Sequence, residues 1–274
     1  MATAFSTIRQ DVGRKLGWME LGTLTAATTT TATDNTRYDP DDFWNEGWLR
    51  IYSPVADAQN RRISDWARTT NLFTIYGTFG TTLDGNELYE AWRYVSPTDA
   101  DQAIYRAIRN VRPFLFQNLS NASLTITGGT YTVTVPAAFL NWGVHRVEVL
   151  DPGTGTPIFS VTEFRYRGDG TTLELPAYVV DSYAGYTLRL SGIGELTEPT
   201  TDAGTVESDY PELHMLVLGA AAELMEIRLF REPIQNQEKL NPLLGILRRD
   251  YEQAVKRYGK RADYGGPPAH TAWV

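Results

Sequence analysis

Ser96-Pro97-Thr98-Asp99-Ala100-Asp101-Gln102-Ala103-Ile104-Tyr105-Arg106-Ala107-Ile108-Arg109-Asn110-Val111-Arg112-Pro113 is the stretch on which the fold turns. Ser96 reads as a helix cap, with Pro97 at the first helical position, where its missing N–H would have no partner anyway. Asp99 stands three residues after the cap. It completes a near match to the capping box, and its charge suits a helix N-terminus. Ala103, Ile104, Ala107, Ile108 and Val111 recur at helical spacing and predict a buried stripe. Pro113 stops the helix. Arg106, Arg109 and Arg112 form a basic stripe on another face, read either as solvated surface or as a contact with an acidic neighbouring subunit.

On both sides of this helix the chain reads as β. Before it, residues 23–92 carry a threonine run, Thr28 to Thr31, that favours extended backbone. Trp48 to Tyr52 and Leu72 to Tyr76 mix aromatic and branched residues. Asp39-Pro40-Asp41-Asp42 and Asp84-Gly85-Asn86 are turn chemistry. A small barrel or compact sheet is expected there. After the helix, Tyr131 to Val135, Val147 to Val149 and Leu173 to Leu175 alternate. Tyr186 to Leu190 is a further strand, and Gly128-Gly129, Gly153-Thr154-Gly155-Thr156 and Gly168-Asp169-Gly170 are turns. Short strands at this spacing, from Ser123 to Ser191, suggest a sandwich.

Helices are expected at both ends of the chain. The first starts at Ser6, places Ile8, Val12 and Leu16 on one face, and ends at Gly17 in a left-handed turn. After a polar linker, Glu195 to Glu207, a third helix begins near Ser208 or Asp209, with Pro211 in its first turn. It is apolar around most of its girth, which predicts burial in a bundle or an oligomer. Gly219-Ala220-Ala221-Ala222 lets a neighbouring helix approach closely. A fourth helix is expected to start at Asn241-Pro242, to carry Leu243, Leu244, Leu247, Tyr251, Val255 and Tyr258, and to stop at Gly259. The fold class is therefore α+β. A helical bundle frame (1–22, 93–118 and 208–260) holds a small β-rich insertion (23–92) and a sandwich-like one (119–200). Residues 261–274 are left as an extended arm or disordered tail, with Pro267-Pro268 forbidding helix and Tyr264 and Trp273 as aromatic anchors.

The bulk properties narrow the function. The 274 residues can bury a sizeable core, and 42% apolar against 21% charged composition predicts folding. With no cysteine there is no disulfide, thiolate ligand or thiol nucleophile, in keeping with a reducing cytoplasm. The net charge of −8 disfavours sequence-specific nucleic-acid binding, which uses a basic surplus. It would let DNA slide past without sticking. No signal core is visible in Met1 to Gln10. His214, Glu223, Glu226 and Arg228 interrupt the most apolar stretch, so no membrane span is expected. His145, His214 and His270 have no second histidine at ligand spacing. Asp39, Asp41 and Asp42 lack the glycine and distal glutamate of a calcium loop. Neither a nucleophile elbow nor a phosphate loop is present. No enzyme activity, cofactor or metal is expected.

Three stretches, in this order of elements, resemble tailed-bacteriophage head–tail connector (adaptor) proteins. They are Ile8-Arg9-Gln10-Asp11-Val12-Gly13-Arg14-Lys15-Leu16-Gly17, then Asp41-Asp42-Phe43-Trp44-Asn45-Glu46-Gly47-Trp48-Leu49-Arg50-Ile51, then Tyr210-Pro211-Glu212-Leu213 leading into Leu218-Gly219-Ala220-Ala221-Ala222-Glu223-Leu224. The family's simplest members are smaller and mostly helical, so the β insertions depart from its plan. The resemblance implies a homo-oligomeric ring, commonly a dodecamer, in the neck of a virion assembled in the host cytoplasm. The ring would sit under the portal protein, with a stopper, nozzle or tail protein below and a channel for DNA. The arm residues Arg261, Tyr264, Pro267, Pro268 and Trp273 would dock on the portal. Arg106, Arg109, Arg112, Leu218 and Met225 would serve subunit contacts. The competing reading is a tail-associated carbohydrate-binding or receptor-binding β module. Its mark would be an exposed aromatic row flanked by carboxylates.

Overall fold

The computed structural model describes residues 2–52, 59–81, 83–112, 114–207 and 212–259. In chain order the elements are β1 (Ala2–Ala4), α1 (Phe5–Leu16), β2 (Met19–Thr23), β3 (Ala26–Ala27), β4 (Thr31–Thr33), β5 (Trp48–Ile51), β6 (Gln59–Ala67), β7 (Leu72–Ile75), β8 (Leu88–Trp92) and α2 (Pro97–Val111). There follow β9 (Phe116–Thr125), β10 (Thr132–Thr134), β11 (Phe139–Leu150), β12 (Pro157–Val161), β13 (Arg165–Tyr166), β14 (Thr172–Glu174), α3 (Ala177–Ser182) and β15 (Thr187–Glu195). The last are β16 (Thr205–Glu207), α4 (Glu212–Arg231) and α5 (Ile234–Tyr258). The fold is mixed α+β, and its paired strands are antiparallel. Among the described residues the chain divides into two compact units, residues 1–111 with 198–259 and residues 112–197. The segment 23–92 falls within the first of them.

In the first unit seven strands run in the order β2-β8-β5-β6-β7-β4-β3. The strands at the two ends of that order, β2 and β3, are separated in sequence only by Leu24 and Thr25. Leu24 N–H donates to the Glu87 carbonyl (2.9 Å) and Thr25 N–H to the Thr33 carbonyl (2.7 Å). One bent segment thus joins both ends, and the sheet closes into a small barrel. Leu49, Ile51, Ile63, Trp66, Phe73, Tyr89 and Ala91 fill its interior. Of the threonine run, expected as extended, Thr31 opens β4 and Thr28 to Thr30 form instead the hairpin turn between β3 and β4. The Thr28 hydroxyl accepts from the N–H groups of Thr30 and Thr31 (3.2 and 3.1 Å) and so offers the backbone a turn in place of a ladder.

The capping box at Ser96 forms in both directions. Asp99 N–H donates to the Ser96 hydroxyl oxygen (3.1 Å), and Ser96 N–H to the Asp99 carboxylate (3.0 Å). Pro113 lies outside the described residues, and α2 ends at Val111. The first helix starts one residue before Ser6, without a side-chain cap. Its first N–H groups are met from elsewhere in the unit: Phe5 donates to the Gly204 carbonyl (2.8 Å) and Ser6 to that of Asp202 (3.2 Å). Gly17 ends it at φ +66°, in the left-handed turn its sequence position suggests.

The expected start of the last helix at Asn241-Pro242 is corrected. The helix α5 begins at Ile234, after Pro233, and carries Pro242 within it. Proline in a helix interior costs about 3 kcal/mol. Pro242 lies on the exposed face, while Leu240, Leu244, Leu247 and Ala254 are buried on the other. In the third expected helix, now α4, the all-round apolarity has a cause within the chain: α1, α2 and α5 all pack on it. A methyl group on Gly219 would stand 3.0 Å from the Tyr251 ring of α5 and 3.6 Å from Ala107 of α2. Ser208, Asp209 and Pro211, its expected start, lie outside the described residues. No helix among the described residues is long and apolar enough to cross a membrane.

In the second unit a four-stranded sheet, β12-β11-β15-β9, and a three-stranded one, β10-β14-β13, share one apolar cluster. Val147, Val149, Leu188 and Leu190 come from the larger sheet and Leu173 from the smaller. Val179 and Val180 come from α3, a short helix in a stretch expected to be wholly β.

Candidate functional site

The most unusual backbone of the first unit lies between β8 and the capping box. Val95 N–H donates to the Arg93 carbonyl (2.7 Å), closing a three-residue turn around Tyr94, whose φ is +68°. A γ-turn of this hand is rare and strained, and such strain costs about 1–3 kcal/mol at a residue with a side chain. Tyr94 is nonetheless held there by its neighbours. The Arg228 guanidinium of α4 lies 3.7 Å from the Tyr94 ring centre and 4.7 Å from that of Trp18. The Arg93 guanidinium lies 4.7 Å from Tyr94 and 3.9 Å from Phe43. Trp18 and Tyr94 also meet edge to face at 5.9 Å. Rings and cations thus alternate across the site: Phe43, Arg93, Tyr94, Arg228, Trp18. Each contact stabilises by about 0.5–1 kcal/mol, so the four together are large enough to offset the strain. Tyr94 remains 47% exposed.

Elsewhere in the unit lies a buried ion cluster. Arg9 of α1 is fully buried and pairs with Glu90 of β8 (3.0 Å), Asp101 of α2 (3.0 Å) and Asp202 (2.9 Å). Arg50 of β5 pairs with Asp202 at 2.6 Å and Asp101 at 3.6 Å. Trp92 Nε1 donates to Glu90 (2.9 Å). Burial opposes the charge on Arg9, but hydrogen bonds to Asp202 and the field of Glu90 outweigh it and raise its pKa. Burial pushes the Asp101 carboxyl up, against Arg9 and Arg50. At Asp202 the two arginines overcome burial and hold the carboxyl below its ordinary value. A second cluster centres on Arg37. It donates to the Tyr89 hydroxyl (2.9 Å) and Asp39 (2.7 Å), and Tyr89 donates to Asp34 (2.6 Å). Both clusters tie elements together. Sequence reasoning missed them because the contacts that close them join residues as far apart as Arg9 and Asp202, 193 positions, and Arg37 and Tyr89, 52 positions.

The residues singled out from sequence fall in several places. Arg109 forks onto Glu198, both bonds at 2.9 Å. Arg106 lies 3.9 Å from Glu223, and Arg112 lies 3.5 Å from Glu195. These arginines therefore have carboxylates within their own chain. Leu218 and Met225 are 2% and 3% exposed; their burial among helices of the same chain removes them as subunit contacts. Arg261, Tyr264, Pro267, Pro268, His270 and Trp273 lie outside the described residues. Asp39, Asp41 and Asp42 serve a turn: Asp39 accepts from Arg37 and Trp44, Asp41 from Arg68 N–H and Asp42 from Asn45. No metal-holding group of acidic or histidine side chains occurs among the described residues. His145 is exposed and His214 half-buried.

Two further surfaces stand out. Around the α4–α5 turn Phe230 and Ile234 are 83% and 79% exposed, and Leu243 and Ile246 along α5 are about half exposed. On the second unit an open cleft of about 400 Å³ is lined by Tyr131, Thr132, Arg167, Glu174, Leu175 and Ala177. Exposed Tyr178 adjoins Ala177 in the chain, and the Tyr131 hydroxyl lies 3.5 Å from Asp181. No protein-family model matches the chain, and no curated protein shows detectable sequence similarity to it.

Proposed function

We propose that this chain is a structural virion protein, a head–tail connector (adaptor) that forms a homo-oligomeric ring, as a dodecamer, between portal and tail. In this reading α1, α2, α4 and α5 are the helical bundle frame, the two β-rich segments are insertions in it, and the protein has no chemistry of its own. Portal protein lies above the ring and a stopper, nozzle or tail protein below. The virion neck is assembled in the host cytoplasm, and DNA passes through the channel without sequence-specific binding or membrane contact. The observation that carries the reading is the apolar exposure of Phe230, Ile234, Leu243 and Ile246. Large apolar side chains left in water at a helical turn suit a surface that a neighbour covers. The arm, residues 261–274, is assigned to the portal. The test is to mix the purified chain with portal protein and image the product by electron microscopy. Rings on the portal are expected. A stable monomer that ignores every portal offered would count heavily against the assignment.

A second reading, a carbohydrate-binding or receptor-binding β module, is favoured by the cleft on the second unit. Exposed Tyr131 and Tyr178 can stack on sugar rings, and Glu174, Asp181 and Arg167 can hydrogen-bond hydroxyls. Binding on a glycan array that Tyr131→Ala abolishes would support it over the connector.

A further inference from the structure

We propose that the Arg93–Tyr94–Arg228 stack is a receptor for a carboxylate carried by an acidic segment of a protein partner. Arg93 is half-buried, and among the described residues no carboxylate comes within ion-pair distance of it. Its attraction to Phe43 and Tyr94 acts through the ring faces. All five of its N–H donors lie in the guanidinium plane, where none meets a hydrogen-bond acceptor among the described residues, which leaves them for a fork. Arg228 is partly answered: Glu232, one helical turn on, approaches it at 3.4 Å and also accepts from Asn236 at 3.0 Å. The stack therefore carries two cations against one anion and leaves one positive charge unspent.

That balance selects the ligand. One unspent charge matches a monoanion, and a planar carboxylate fits a guanidinium fork with two parallel hydrogen bonds. The backbone points the same way. Tyr94 is kept in a strained turn while its ring stays half in water, and residues so held are concentrated at ligand clamps and switches. With the turn set by the capping box on one side and β8 on the other, the two guanidiniums are fixed before any ligand arrives. Little ordering is then required on binding. The inference does not depend on the connector assignment.

The full-length chain, labelled at its arginine side chains, is titrated in the magnetic resonance spectrometer with a hexaglutamate peptide. Sodium acetate and inorganic phosphate are separate arms at matched ionic strength. The Nε–H signals of Arg93 and Arg228, assigned by single substitution, are expected to shift saturably with hexaglutamate. Acetate is expected to move the same signals at least about tenfold more weakly, since it offers one carboxylate at a time. Arg93→Lys keeps the charge but lacks the fork, and is expected to weaken hexaglutamate binding about tenfold or more. Stronger response to phosphate than to hexaglutamate overturns the carboxylate assignment. Unmoved signals, or equal movement of exposed Arg109, overturn the site itself. The wild-type titration decides this even if a variant fails to fold.

Discussion

The two units bury different things. The first encloses charges: Arg9, Arg37, Arg50, Asp34, Glu87, Glu90 and Glu212 are all under a tenth exposed. The second is dominated by aliphatic side chains from its two sheets and α3. Its buried carboxylate, Glu148, is met by Arg189 from the adjacent strand β15 at 2.6 Å. The difference follows from how each unit is assembled. The second unit is one continuous stretch of chain, largely joined by short turns such as the one where Asp151 accepts from Gly153 and Thr154 N–H. The first must bring α1, β5, β8, α2 and the loop carrying Asp202 together from the two ends of the chain. A buried ion pair is weak evidence for net stability, but a wrong pairing leaves a charge stranded. Such clusters therefore discriminate against mispacking.

Removing Arg9 should break this comparison most severely. Arg9→Met leaves Glu90 buried without its guanidinium, and the first unit is expected to lose about 3–5 kcal/mol in urea unfolding. Replacing both members of the fully buried pair, Arg9→Met with Glu90→Leu, leaves Asp202 to Arg50 and should recover a large part of that loss. No recovery would mean that the ions stabilise rather than select.

The counterpart in the second unit is Leu190→Ala, expected to cost about 2–5 kcal/mol through the cavity it leaves. Its loss should appear in amide exchange of β11 and β15, with the barrel strands unchanged. Acid should then sharpen the contrast. Asp99 and Asp202 are held below the ordinary carboxylate value, overcoming burial, by Arg231 and Ser96 and by Arg9 and Arg50 respectively. Their contribution is complete above about pH 4 and lost as pH falls through their lowered values. Asp101 has the opposite sign: burial raises it, so protonation from above pH 4 relieves a cost. A pH titration of unfolding should show Asp202→Asn flattening the acid limb of the first unit's transition.

Ser96→Ala removes one half of the capping box and should cost about 1 kcal/mol in thermal unfolding. Smallest is Arg109→Ala. Its fork onto Glu198 is solvent-exposed, so no resolvable change in thermal unfolding is expected. A larger loss would mean that the linker at Glu198 depends on this pair.

The readable parts of the molecule were the local ones. Ser96, Pro97 and Asp99 announce a cap because its chemistry is complete within four residues, and Gly17 announces a stop for the same reason. Trp48 to Ile51 and Leu72 to Ile75 became strands where their composition placed them. The misjudged parts depend on distant partners. Ser6 yielded the helix start because carbonyls near Asp202 supply the cap, and β6 escaped notice because only Ile63 and Trp66 mark its buried face. The candidate site was nearly invisible. Tyr94 is not a residue type that signals a positive φ, and Arg228 showed itself only as a charge interrupting an apolar run. The one available cue was how little chain separates Trp92 from the cap at Ser96.

The bend at Leu24 and Thr25 has a consequence for where the chain can be cut. Those two residues are the covalent seam of the ring of strands, so cleavage there converts a closed object into a ribbon with two raw margins. A permuted chain with its new ends at this seam should be sticky. One opened at the Thr28 to Thr31 turn leaves the seam intact and should stay well behaved.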